Sequence, residues 1–403
     1  MAVATNDVAT PARSRTSPVA SYYLLASATA LLVLVGLAAM LSSSSIDSIN
    51  EDGDPYTLFK QQLAFLIVGV IGMAVLSRVS PKAFKAAAPW ILATTVLLLL
   101  LVAATPLGHA SGGNKNWFKV GWVTAQPSEA AKLALARYLG VALSQTRSRL
   151  TTVKQAIVPA GLVAALVVGL VLAGKDIGTA VVMILVIAAA YWTAGLPVRF
   201  FIAGAAAAGV LVAVLVLSRG TLRARVTTWM SPDCAVDNCW QVTHGTWALA
   251  SGGIWGLGPG LSREKWSYLP KAHNDFIFAI LGEEFGLVGT IFVLVALAMI
   301  AIAVNRIVQR HKDPFVQITA AGVGAWIVGQ ACLNIAVVLG LAPVTGVPLP
   351  LVSSGGSSMI MTLAGIGVLL AFARREPGAA EALAVRPSIV RRSLAVVSGR
   401  RRG

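Results

Sequence analysis

Apolar residues run along this chain in long, nearly unbroken stretches rather than at alternate positions. Ten such stretches stand at approximately 21–42, 61–77, 88–105, 128–144, 155–173, 177–195, 200–217, 275–305, 315–341 and 356–373. A bilayer core is crossed by about 20 consecutive apolar residues in helical form. The pattern therefore predicts an all-α polytopic membrane protein with about ten transmembrane helices. The 128–144 stretch is the most polar, since it holds Glu129, Lys132 and Arg137. The first stretch follows a basic tail, as a signal peptide would, but it is long for a signal core and further spans follow.

Charge orients the expected helices. Arg13 and Arg15 lie before the first span, and Arg78, Lys82, Lys85, Arg147, Arg149, Lys154, Arg199, Arg306, Arg310 and Lys312 lie in alternate connections. The 374–403 tail adds eight arginines, whereas the first opposite loop carries Asp47, Glu51, Asp52 and Asp54. Basic segments stay cytoplasmic, so both termini are expected inside. The expected division is a disordered cytoplasmic tail at 1–20, a ten-helix domain at 21–373 and a basic cytoplasmic tail at 374–403. A large extracytoplasmic loop, 218–274, joins helices 7 and 8.

Composition removes other classes. Hydrophobic residues make up 57% and charged residues 12%, about half the charge of a soluble domain. A soluble enzyme, a nucleic-acid partner and a disordered chain are excluded. The net charge of +16 fits contact with membrane lipid headgroups. Lys115 and Lys119, with Arg219, Arg223, Arg225, Arg263, Lys265 and Lys271 of the large loop, break the inside rule, which suits an anionic ligand on the outer side or, alternatively, attraction to lipid headgroups. Three cysteines and four histidines offer no obvious metal framework. Cys234 and Cys239, in an oxidising exterior, are read as a disulfide stapling the large loop, with two free thiols as the alternative. Cys332 is read as packing within a span.

Ionisable residues at membrane depth mark function, and four clusters carry them. The first runs through Lys115, Trp117 and Lys119 to Gln126, Pro127, Ser128, Glu129 and Lys132. Its glycines at 112–113 suggest a flexible loop, Pro127 starts a helix, and Glu129 and Lys132 share a helix face. The second is Lys175, Asp176, Ile177, Gly178 and Thr179, readable as a turn and cap. The third joins a glycine-rich stretch at 251–260 to His273, Asn274, Asp275, Glu283 and Glu284. Its glycines let backbone approach a ligand, and Asp275, at the border of an apolar run, suits a general base. The alternative makes Asp275 a helix cap and the glutamates buried structural groups. The fourth is the proline-interrupted stretch 343–350 followed by Ser353, Ser354, Gly355 and Gly356. Non-helical backbone at membrane depth is buried or lines a cavity, so this stretch is expected to shape a pocket.

In these clusters the sequence resembles the SEDS family of bacterial shape, elongation, division and sporulation proteins. The matching segments are Gln126 to Glu129 with Lys132, Asp176 to Thr179, Ala272 to Phe278 with Gly282 to Glu284, and Pro343 to Pro350 with Ser354 to Ser357. Lys265, Trp266, Ser267, Tyr268, Leu269 and Pro270 look more like the division branch than the elongation branch. Lys271, Lys175 and Ser354 depart from residues common in the family.

The resemblance implies a peptidoglycan glycosyltransferase that polymerises lipid II into β-1,4 glycan strands for septal wall synthesis, with a class B penicillin-binding protein and other division proteins as partners. It implies a multi-pass plasma-membrane location at the division septum. The family's catalytic aspartate maps onto Asp275, and Lys115, Trp117, Lys119, Gln126, Ser128, Glu129, Lys132, Arg223, Arg225, His273, Asn274, Glu283, Ser353 and Ser354 are the substrate-binding candidates. A divalent cation, magnesium or manganese, is an open option at the diphosphate; no other cofactor is implied. The rival readings are a lipid II flippase, an elongation-type polymerase and a scaffold that recruits a wall synthase.

Overall fold

A computed structural model describes residues 17–385 except 107, 112–113, 121–122, 147–151, 219, 231–235, 267 and 271. Helices dominate. The first half holds α1 (Ala20–Ser43), α2 (Ser45–Asp52), α3 (Thr57–Leu76), α4 (Pro81–Ala104), α5 (Pro127–Thr146), α6 (Val153–Ala156), α7 (Leu162–Ala173) and α8 (Ile177–Ala194). The second holds α9 (Val198–Ser218), α10 (Gly220–Met230), α11 (Val236–Gly252), α12 (Ile277–Arg310), α13 (Pro314–Val338), α14 (Gly356–Ala373) and α15 (Ala379–Val385).

Among the described residues, α1, α3, α4, α8, α9, α12, α13 and α14 are long and apolar enough to cross a membrane, and Val158–Ala173 is a shorter apolar helix. α5 has 20 residues but carries Glu129, Lys132 and Arg137. All ten expected stretches are thus helical, and eight meet the length and polarity of a span unaided. α5 escapes on charge because it is a buried element: its polar groups face protein rather than lipid.

Three expectations change. First, the chain is not wholly α. Gly108–Ser111, Asn114–Val120 and Val123–Ala125 form β1, β2 and β3 of an antiparallel sheet in that order. Gly108 pairs with Phe118, and Phe118 with Ala125. The expected flexible loop is therefore a folded flap, although its 112–113 tip lies outside the described residues. Second, the 218–274 connection is not simply loop, because α10 and α11 occupy most of its first half and α11 packs on α12. Third, Cys332 is exposed on the flank of α13 rather than packed. A thiol is small and weakly polar, so an apolar outer face tolerates it. The expected Cys234–Cys239 pair falls on side chains outside the described residues.

The core is organised around α13, which packs against α5, α8 and α12 and buries Trp326 completely. α3 packs along α14, and α1 along α12. α12 is broken at Gly286, whose φ of 64° and ψ of −162° leave the helix. The glycine-rich stretch fills that break. Leu257 and Gly258 donate backbone N–H groups to the carbonyls of Glu283 and Glu284, while Leu287 and Val288 donate to Gly253 and Ile254. Buried backbone polar groups must find partners, and here the loop supplies them. A Cβ on Gly256 would stand 2.2 Å from the Glu284 carbonyl oxygen. These glycines permit close packing on α12, so the expected approach to a ligand is corrected to an approach to a helix.

Candidate functional site

The four sequence clusters meet at one end of the bundle, where α3, α8 and α14 begin and α13 ends. Asp275 sits in the turn that precedes α12. It does not cap that helix, since Phe276 holds the cap position and no side-chain cap bond forms. Three consecutive carbonyls of this turn are held from other elements. Ser354 N–H donates to the His273 carbonyl at 3.0 Å. Ser353 Oγ donates to the Asn274 carbonyl at 2.6 Å, and Asn334 Nδ2 donates to the Asp275 carbonyl at 2.8 Å. The backbone beneath the carboxylate is thereby fixed, which is how a reactive group is held in one geometry.

The 343–350 stretch forms the adjacent wall. It is irregular and half-buried, with Val347 and Leu349 almost wholly covered. Its carbonyls are satisfied from α13: Asn334 Nδ2 also donates to Val347 at 2.8 Å, and Gln330 Nε2 donates to Pro348 at 2.9 Å. Leu349 N–H donates to Ser353 Oγ at 2.8 Å. Gly346 brings this wall against the Asp275 turn, since a Cβ there would lie 3.7 Å from Asp275 Oδ2. Gly178 is required on the other side, because a Cβ there would stand 2.7 Å from the Thr345 carbonyl oxygen.

A second network braces this wall. Lys132 Nζ donates to Glu129 Oε1 at 2.8 Å and to Gln330 Oε1 at 2.7 Å, with both charged side chains buried. Trp326 Nε1 donates to the same Gln330 oxygen at 2.9 Å, and Lys132 lies over the Trp326 ring. Asp176 caps α8 by accepting from Thr179 N–H at 3.0 Å. Its other oxygen accepts from Asn116 Nδ2 and Gln126 Nε2, both at 2.8 Å, and from Ser128 Oγ at 3.5 Å. Asp176 thus ties the flap to α5 and α8.

The rim is charged. His273 Nδ1 lies 2.7 Å from Asp47 Oδ2 on α2. Lys60 Nζ donates to Asp54 at 2.7 Å, and this bond, with the Tyr56 N–H, holds the Asp54 carboxyl below its ordinary range.

The structure sorts the other candidates. Lys115, Trp117 and Lys119 lie on β2, where Trp117 is half-buried; the lysine side chains are outside the described residues. Arg223 is exposed on α10, a different element from the carboxylate turn; the Arg225 side chain, on the same helix, is outside the described residues. Glu283 is buried and accepts from Ser262 Oγ, Arg263 N–H and Glu264 N–H. Glu284 accepts from Ser42 Oγ and Lys265 Nζ. This is the structural alternative for the two glutamates, and it leaves Glu283 stapling the 262–265 turn. Ser353 spends its hydroxyl on Asn274 and Leu349. Among the described residues, no three carboxylate, imidazole or thiol groups converge to hold a metal ion.

Sequence reading gave no site role to Gln330, Asn334, Trp326, Asp47 or Gln62, whose side chain donates to the Ser353 carbonyl and accepts from Gly355 N–H. A signal existed for three of them. Trp326, Gln330 and Asn334 recur every four residues along an apolar span, a polar-tipped stripe on one helix face.

The family model described as Cell cycle protein, covering FtsW, RodA and SpoVE, matches residues 22–377. The chain belongs to this SEDS family. It is 39% identical over 367 residues to a protein of Mycobacterium tuberculosis named probable peptidoglycan glycosyltransferase FtsW, covering 91% of this chain and 70% of that one. It is 33% identical to stage V sporulation protein E of Bacillus subtilis, covering 87% and 96%. Among solved structures, a chain of a peptidoglycan synthase complex that coordinates polymerization and crosslinking superposes with a TM-score of 0.73 at 28% identity, covering 87% and 97%. RodA of Thermus thermophilus superposes at 0.64 and 26% identity, covering 87% and 96%.

Proposed function

We propose that this SEDS protein is a peptidoglycan glycosyltransferase of the division type, polymerising lipid II at the outer face of the membrane. Asp275 is the general base. It takes the proton from the acceptor sugar's 4-hydroxyl as that oxygen attacks C1 of the lipid-linked donor. The bond from C1 to the carrier's diphosphate breaks, and undecaprenyl diphosphate leaves with the electron pair. Inversion at an α-linked donor gives the β-1,4 strand. The lysines of β2 and the arginines of α10 supply the positive charge that a departing diphosphate needs.

One observation carries the reading: the Asp275 turn is held by three carbonyl bonds from α13 and the 353–354 segment, so the backbone that presents its carboxylate is fixed. The synthase-complex neighbour supports a transpeptidase partner of the class B penicillin-binding type, and the FtsW relatives support a septal location. The test is Asp275→Asn, purified with its partner and supplied with lipid II. Loss of a general base lowers rate by about 10²–10⁴-fold. Undiminished polymer refutes Asp275 as base. Polymer made equally well without this protein, together with failure of substrate to reach the outer leaflet, favours the transporter reading.

A further inference from the structure

The opposite end of the bundle holds a second polar feature that the glycosyl-transfer reading does not use. α3 ends at Leu76 and α14 at Ala373, side by side. Just beyond them, Ser77, Arg78, Arg374 and Arg375 line a cavity of about 350 Å³. Its outer wall is apolar and comes from Ala380, Leu383 and Ala384 of α15, which folds back over the helix ends.

Arg78 and Arg375 are exposed and Arg374 is half-buried, so a ligand from solvent or the leaflet can reach all three guanidiniums. Arg375 donates to the carbonyls of Ala371 and Arg78 at 2.9 and 3.2 Å, and Arg374 lies over the Tyr22 ring. Among the described residues, none of the three forms an ion pair with a carboxylate. The adjacent Glu376 is buried and committed to Arg310 at 3.2 Å, and Glu381 is exposed on α15. Burial and the neighbouring Arg374 charge hold the Arg375 guanidinium below its ordinary value. Three cations around one cavity repel one another, and an anion between them relieves that repulsion.

We propose that this cavity is a binding site for the phosphate-bearing headgroup of an anionic phospholipid of the cytoplasmic leaflet. Position and shape both select that ligand. The cavity lies where two apolar helices leave the hydrocarbon, on the face that the basic loops assign to the cytoplasm. A planar guanidinium matches phosphate oxygens in pairs, while the α15 wall accepts the glycerol and first acyl carbons. The arginines of the 386–403 segment follow α15 directly and add a field that concentrates such lipids nearby.

The test is native mass spectrometry of the full chain released from nanodiscs of phosphatidylcholine doped with phosphatidylglycerol. The wild type retains phosphatidylglycerol preferentially. Arg78→Gln removes a charge while leaving the Arg375 capping bonds, and lowers that preference about ten-fold, the worth of one charge-assisted hydrogen bond. Arg374→Gln is the second variant, and thermal melting of both confirms that they fold. A chain lacking residues 386–403 keeps most of the preference. Equal retention of the two lipids by the wild type overturns the proposal, as does an unchanged preference in both folded variants. Displacement of the lipid by millimolar inorganic phosphate overturns the lipid assignment and leaves a soluble phosphate as the occupant.

Discussion

Asn334 Nδ2 lies 2.8 Å from the Asp275 carbonyl oxygen and 2.8 Å from the Val347 carbonyl oxygen. One amide on α13 therefore sets the spacing between the Asp275 turn and the irregular wall beside it. Asn334→Leu leaves two buried carbonyls short of a donor, at about 1–3 kcal/mol each. The expected result is protein that still inserts in the membrane while lipid II polymerisation falls about ten-fold or more. The effect should fall mainly on kcat, because Asn334 acts through Asp275 rather than on the substrate.

Gly178 offers a steric test of the same wall. A Cβ at this position meets Val347 Cγ2 at 2.4 Å and the Thr345 carbonyl oxygen at 2.7 Å, whereas one on Gly72 meets nothing. Gly178→Ala is expected to destabilise by about 1–3 kcal/mol through overpacking and to lower polymer yield. Gly72→Ala should leave both unchanged. Melting temperature in detergent and glycan-chain assays check the pair.

Lys132 and Glu129 form a buried ion pair, and breaking one partner of such a pair costs about 3–5 kcal/mol because the other charge is left uncompensated. Lys132→Met should therefore lower the melting temperature sharply. Adding Glu129→Gln to that variant should restore much of the loss. A double-mutant cycle of thermal stability measures the coupling, and additive effects would refute it.

Glu283 separates a structural from a ligand-binding role. Glu283→Gln weakens three bonds to the 262–265 turn and should raise amide exchange across residues 253–269. Its KM for lipid II should stay close to that of the wild type once the folded fraction is matched. A large rise in KM with unaltered exchange would return Glu283 to the substrate site.

Membrane class and helix positions were legible in the linear sequence. Apolar runs report burial in lipid one residue at a time, and Asp275 stood out because a charge beside such a run is costly. The pairing of Glu129 with Lys132 was legible as well, since helical spacing fixes it locally. The antiparallel flap was not: its strands are short, glycine-bounded and stabilised by Asn116 reaching Asp176, 60 positions away.

Sequence by itself decided that this chain lives in a bilayer and carries SEDS-like motifs at a few polar positions. Only the tertiary structure decided what those positions do to one another. The 253–258 glycines close a break in α12 and Glu283 staples the 262–265 turn, while Asn334 holds the Asp275 turn and, with Gln330, the 343–350 wall. The reason is physical: a buried polar group must be satisfied by whatever lies next to it in space, and in a helical bundle those neighbours come from segments far apart along the chain.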